Sequence, residues 1–258
     1  MAYALTALLS IVRMTATEHS LVSSSLAGIA SLNTAATILQ EMGMQKVVAF
    51  RRIRHIGLWF VSLLTVGGLA LGLASQPAFG SVVYTLDFSQ QPDGPATNWL
   101  KDQGFVLKLN AEELHPYFRN RRLILHTERQ TAGLFEHQLN LPNARRIRIH
   151  WGVDHYPEGA NWERGINAVA IAVMTSFGTE PINSGSLFIP NAPYFIDLFL
   201  GQEERADKVY VGKYYTQGGR YFCEPCRVQV RETVVSDFDL VKAFAEQFSI
   251  PDFPGVSG

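Results

Sequence analysis

Residues 152–165 read GVDHYPEGANWERG. This short run gathers Asp154, His155, Glu158 and Glu163 with the amide of Asn161, the guanidinium of Arg164 and the rings of Tyr156 and Trp162. Trp151 stands immediately before it. Flat rings stack on the apolar faces of sugars, while carboxylates and amides bind sugar hydroxyls. Trp151, Asp154, Tyr156, Asn161, Trp162 and Arg164 are therefore the candidate ligand-binding set, and the expected ligand is a glycan. A polysaccharide hydrolase or lyase is the alternative. Cleaving a glycosidic bond takes two carboxyl groups about 5–10 Å apart. Glu158 and Glu163 are the catalytic candidates, with His155 as a base. The same residue types also make ordinary turns, in which Asp, Asn and Gly bend the chain and the rings plug the end of a core. Spacing inside one loop does not separate these readings. The chain carries no nucleophile elbow, HExxH, P-loop or dinucleotide fingerprint, so binding is favoured over catalysis, and no metal or cofactor is implied.

Two further groups could do chemistry. Arg119, Arg121, Arg122, Arg145, Arg146 and Arg148, with His150, could hold an anionic glycan or a phosphate-bearing headgroup. A solvated face paired with nearby acids is the plainer reading. Cys223 and Cys226 are the two cysteines of the chain. An exported protein would join them as a disulfide. A redox pair would need the start of a helix, and a zinc half-site would need a second pair. Strand-like residues flank both cysteines, which favours the disulfide.

The elements that must position these residues are mostly strands. Short β-rich runs separated by polar, Gly, Pro or Asn breaks occupy 82–88, 104–110, 121–127 and 131–141. ARRIRIHWG at 144–152 alternates, with Ile147, Ile149 and Trp151 on one face and Arg146, Arg148 and His150 on the other. INAVAIAVMTSFG at 166–178 is apolar almost throughout and predicts a strand buried on both faces. Runs at 185–190, 192–201, 207–216 and 226–235 continue the series. Near the end, Phe238, Val241, Phe244, Ala245 and Phe248 recur at helical spacing behind Ser236, which predicts a helix capped by that serine and stopped by Pro251 and Pro254. The chain then runs out in FPGVSG, which suggests a final strand missing or supplied elsewhere. The fold class expected is mainly β: an antiparallel β-sandwich of jelly-roll type with one C-terminal helix, preceded by an N-terminal signal or anchor helix.

Charge and hydropathy divide the 258 residues. Residues 1–80 carry five Lys/Arg against two Asp/Glu, and residues 81–258 carry 17 against 21. The acidic body argues against a nucleic-acid partner, for which a basic field is the rule. KVVAFRRIRH at 46–55 precedes an uncharged apolar run at 57–74, and Ala78, Phe79 and Gly80 follow. Basic, apolar and small-residue regions in that order make a signal peptide, with the cut before Ser81. A retained anchor is the alternative, since the run is just long enough to span a bilayer. In both cases the body is exported, and any membrane contact is through this segment. The domains expected are a leader at 1–41 with the true start at Met42 or Met44, a signal or anchor at 42–80, and a β-sandwich at 81–258.

The runs HWGVDHYPEGANWERG, FG, SGS, PNAPYFI and YYTQGGRYFC resemble an uncharacterised family of secreted bacterial proteins. That resemblance covers most of 82–258 and brings no assigned activity. The order of strands is also similar in style to jelly-roll carbohydrate-binding modules, a likeness of fold that leaves function open.

Overall fold

The structure, a computed structural model, describes residues 5–16 and 81–258. The expected signal or anchor at 42–80 lies outside the described residues. Among the described residues, thirteen strands run in chain order. They are β1 (Leu5–Thr15), β2 (Val82–Asp87), β3 (Gly94–Pro95), β4 (Val106–Leu109), β5 (Tyr117–Arg119), β6 (Arg122–Thr127) and β7 (Gly133–Glu136). After these come β8 (Arg146–His155), β9 (Ala172–Ile182), β10 (Ala192–Gly201), β11 (Val209–Tyr210), β12 (Gly219–Cys226) and β13 (Thr233–Asp239). A short helix spans Thr97–Asp102 and a longer one Leu240–Phe248. The protein is mainly β, with antiparallel sheets and a C-terminal helix, as the strand-like runs predict.

The largest sheet has the order β13-β8-β1-β6-β5-β3, with β2 also paired to β1. A second sheet runs β11-β12-β10-β9, and β4 pairs with β7. Pairing is antiparallel except between β10 and β12, which run parallel. The alternation in 144–152 appears as expected. Ile147, Ile149, Trp151 and Val153 of β8 are fully buried, and they share one core with Phe177, Ile196, Leu198 and Leu200 of the second sheet. Burial of these apolar side chains is the main driving force for the arrangement.

Several expectations change. The leader at 1–41 has no part in the fold as read from sequence, yet Leu5–Thr15 forms the middle strand of the main sheet, with Val12 and Met14 in the core. The apolar run at 166–178 is not buried on both faces. Its strand starts at Ala172, and Met174 is exposed, because one side of this sheet is only partly covered. GSLFIP at 185–190 forms no strand, and Leu187 and Phe188 project into solvent. The cap of the last helix is Asp239, whose Oδ1 accepts the Lys242 amide hydrogen at 3.0 Å. Ser236 belongs instead to β13, where pairing with β8 carries the strand on to Asp239. Leu240, Ala243 and Phe244 form the buried face of that helix.

The chain end has a place of its own. Val256 is buried and bridges Leu141 on one side and Phe177 on the other. The Ser257 amide donates to Ser176 O, and the Ser176 amide to Gly258 O, both at 2.9 Å. FPGVSG therefore acts as a short strand-like seam along β9. Gly255 turns the chain into it at φ 80°, where a Cβ would lie 2.7 Å from the Pro142 Cα.

Candidate functional site

The loop 156–165 leaves the end of β8 and folds over the second sheet. Its centre is Trp162, which opens a single 3-10 turn over Trp162–Arg164. Asn161 caps that turn: its Oδ1 accepts the Arg164 amide hydrogen at 3.0 Å, while its Nδ2 donates to Glu203 at 2.5 Å. The turn aims the indole inward. Trp162 stacks on Phe199 at 5.1 Å between centroids and also meets Tyr221 at 4.7 Å and Tyr210 at 5.8 Å. Only 8% of the residue is exposed.

Glu204 holds the loop from below. Its Oε1 accepts the Trp162 amide hydrogen at 3.0 Å, and its Oε2 accepts those of Gln202 and Glu203 at 3.0 and 3.1 Å. The buried carboxylate thus satisfies three backbone donors that would otherwise lie unpaired. Gly201 makes room for it, since a Cβ there would come within 2.5 Å of Glu204 Oε2 and 2.4 Å of Cys223 Sγ. Nothing local in GQEER marks Glu204 as the buried member of its acidic pair; a lone glycine before a turn is the nearest signal.

The surface groups of the loop are paired as well. Glu163 accepts from Lys208 Nζ and from the Tyr210 hydroxyl, both at 2.5 Å. Those two hydrogen bonds, the lysine first, hold its carboxyl below the usual range. The Tyr210 hydroxyl is pushed up to about 12 by desolvation and by Glu163. Tyr156 donates to Val228 O at 3.1 Å, and burial pushes its hydroxyl up to about 12.

The stacking role expected of Trp151 and Trp162 is therefore corrected. Trp151 is wholly inside the core, its Nε1 donating to Ser236 Oγ at 2.8 Å. Ser236 Oγ in turn donates to Glu224 O at 2.6 Å, so the buried indole is fully satisfied through a two-step relay. Trp162 packs in a separate cluster with Phe199 and Tyr210, while the half-buried Tyr156 packs against the main core that holds Trp151, so the three rings form no common platform. Asp154 is half-buried, and His155, Glu158 and Arg164 lie at the surface. Asn161 is buried and spent on the turn. The cavity beneath the loop, lined by Tyr156, Ala160, Phe199 and Glu204 among others, measures about 10 Å³. That is room for a water molecule at most and not for a sugar ring.

On the basic face, Arg146 bonds Asp237 at 2.8 Å and Asp239 at 3.2 Å, and Arg148 bonds Asp237 as well. Burial raises the Asp237 carboxyl, but hydrogen bonds from Arg148 and Arg146 outweigh it and leave the group below its ordinary value. Arg121 donates from Nε to Ser89 O at 3.2 Å. Cys223 and Cys226 are joined as a disulfide beside Phe199 and Trp162. Among the described residues, no group of three or more His, Cys, Asp or Glu side chains converges as a metal site, and no helix is long and apolar enough to cross a membrane.

One buried acid falls outside the expected set. Asp197 lies on β10 between Met174 and Tyr221. The residue keeps some exposure, but its Oδ1 is covered and has no hydrogen-bond partner among the described residues. Desolvation pushes this carboxyl up to about 7. Comparison with family models, with curated proteins and with solved structures finds no match to this chain.

Proposed function

We propose that this chain is the precursor of an exported, non-catalytic protein of the cell envelope, a β-sandwich that serves as a structural or protein-interaction component. The observation that supports a non-catalytic role is the fate of the 151–165 segment. Trp162, Asn161 and Glu163 are each engaged by the fold itself, through Phe199, Glu203, Lys208 and Tyr210. The lowered carboxyl of Glu163 also suits a permanent ion pair better than a general acid, which must hold its proton near neutral pH. The segment thus works as a brace between the end of β8 and the second sheet. Two sheets around one core support the sandwich reading. Export rests on the basic, apolar and small-residue order of 46–80.

The test joins a reporter active only outside the cytoplasm to Gly258. Activity is expected, and Leu63→Arg with Leu64→Arg in the apolar run should abolish it. A reporter that stays silent in the unmodified chain would contradict export. A glycan array run on the exported product is expected to retain nothing. Retention lost on Glu158→Gln or His155→Ala would restore the binding-loop reading.

A further inference from the structure

β1 joins strands of the main sheet that, among the described residues, do not pair with each other. One of its edges pairs with β8 from Thr6 to Thr15. The other is shared, β6 taking Leu5 to Leu9 and β2 taking Ile11 to Thr15. Along the sheet order β1 alone stands between β8 and β6, and β1 is the partner recorded for β2. Inward, Val12 lies between Ile149 and Leu86, and Met14 between Ile147 and Tyr84; the β1 and β8 residues are in the core cluster, and the partly buried Leu86 and Tyr84 pack against it. The place of β1 is therefore a groove with two hydrogen-bonding edges and an apolar floor.

Export and occupation of this groove by Leu5–Thr15 exclude each other. Residues 5–15 precede the basic stretch at 46–55, and that stretch stays on the cytoplasmic side whether the apolar run is cut or retained. The body from Ser81 onward is carried across. The strand and its groove then end on opposite sides of the membrane. The fit of Leu5–Thr15 is also imperfect on the outer face. Its register sets Arg13 directly opposite Arg148. Like charges across a strand pair are unfavourable, and Asp87, two residues along on the same face of β2, together with Asp237, which binds both Arg146 and Arg148, reduces this cost.

We propose that the groove between β8 and the β2 and β6 edges accepts a strand from another polypeptide in the exported protein. The donor is an extended segment antiparallel to β8, with apolar side chains at the places of Val12 and Met14 and an uncharged, β-branched residue at the place of Arg13. Main-chain hydrogen bonds along both edges give affinity, and the alternate side chains give selectivity. A threonine at the Arg13 place would meet Thr85 across β2 and would no longer oppose Arg148.

This inference rests on the export reading, and the experiment separates the two. The product recovered outside the cytoplasm is weighed intact and titrated with labelled synthetic peptides. These carry the sequence of residues 5–15, the same with Arg13→Thr, and the same with Val12→Asp and Met14→Asp. A chain starting at Ser81 is expected to bind the first peptide one to one. It should bind the Arg13→Thr peptide about fivefold tighter and the doubly acidic peptide about a hundredfold or more weaker, since that peptide would bury two charges. Removing the cation with Arg148→Ala, an exposed position, should bring the first two peptides to within about twofold of each other. An exported chain that binds none of them, or binds the acidic peptide as well as the parent, overturns the groove and leaves export standing. An intact 258-residue product retained in the cytoplasm overturns export, and with it the donor in trans.

Discussion

Trp162→Ala separates a brace from a binding loop. A buried tryptophan removes about 200 Å² of surface from water. At about 25 cal/mol per Å² this contributes about 5 kcal/mol. Trp162 Nε1 has no hydrogen-bond partner among the described residues, and deleting a buried unpaired donor returns about 1–2 kcal/mol. The net loss expected is about 3–4 kcal/mol, within the usual range for aromatic-to-alanine changes in a core. Domains of this size have about 5–15 kcal/mol of stability in total, so the variant should unfold at a visibly lower urea concentration with an unchanged slope. Trp162→Phe keeps the stack on Phe199 and should lose about half as much. Glu158→Gln, on an exposed side chain, should leave the midpoint where it is. Urea titrations followed by circular dichroism read all three. A loss below about 1 kcal/mol for Trp162→Ala would refute the reasoning, because it would place the indole in solvent, where a ligand platform belongs.

Three further outcomes follow from neighbouring groups. Ser236→Ala strands the buried Trp151 Nε1 and should cost about 1–3 kcal/mol in the same titration, whereas Ser236→Thr, which keeps the hydroxyl, should cost less. Asp197 has a folded-state value near 7 against 3.8 for the free group. The folded state therefore holds the extra proton between these values, and its stability should fall as pH rises from about 4 to about 7. Asp197→Asn should flatten that slope in thermal melts taken across the window, and an unchanged slope would point to another group. Reducing the Cys223–Cys226 disulfide opens a very short loop, so the chain-entropy loss is only about 2 kcal/mol. The reduced protein should remain folded, with a melting temperature lower by several degrees.

Legibility from sequence followed how locally each feature is determined. β10 is visible to the residue, because a two-sided apolar run flanked by Pro190 and Gly201 has few other readings. β8 is visible because period two alone sets its faces. β12 hides behind Gly218 and Gly219, which look like a turn, and it becomes a strand by parallel pairing with β10. β1 is harder still. LTALLSIVRMT has little charge and much Leu and Ala, and its partners lie about 70 to 150 residues away in sequence. Ser236 and Asp239 are both good caps, and only the length of the β8–β13 ladder chooses between them. The residue types of 152–165 mark the loop but not its role. Whether Trp162 turns out toward a ligand or in toward Phe199 depends on Glu204 and Gly201, about forty residues further on.

Amide hydrogen exchange along Val82–Asp87 in the exported protein tests the groove most directly, because β1 is the partner recorded for β2. With no donor present these amides are expected to exchange within seconds to minutes. Adding the Arg13→Thr peptide should slow the half of them that face the groove. Slow exchange without any added strand, in a product that still contains residues 5–15, would contradict the proposal and return β1 to the body it is joined to by the chain.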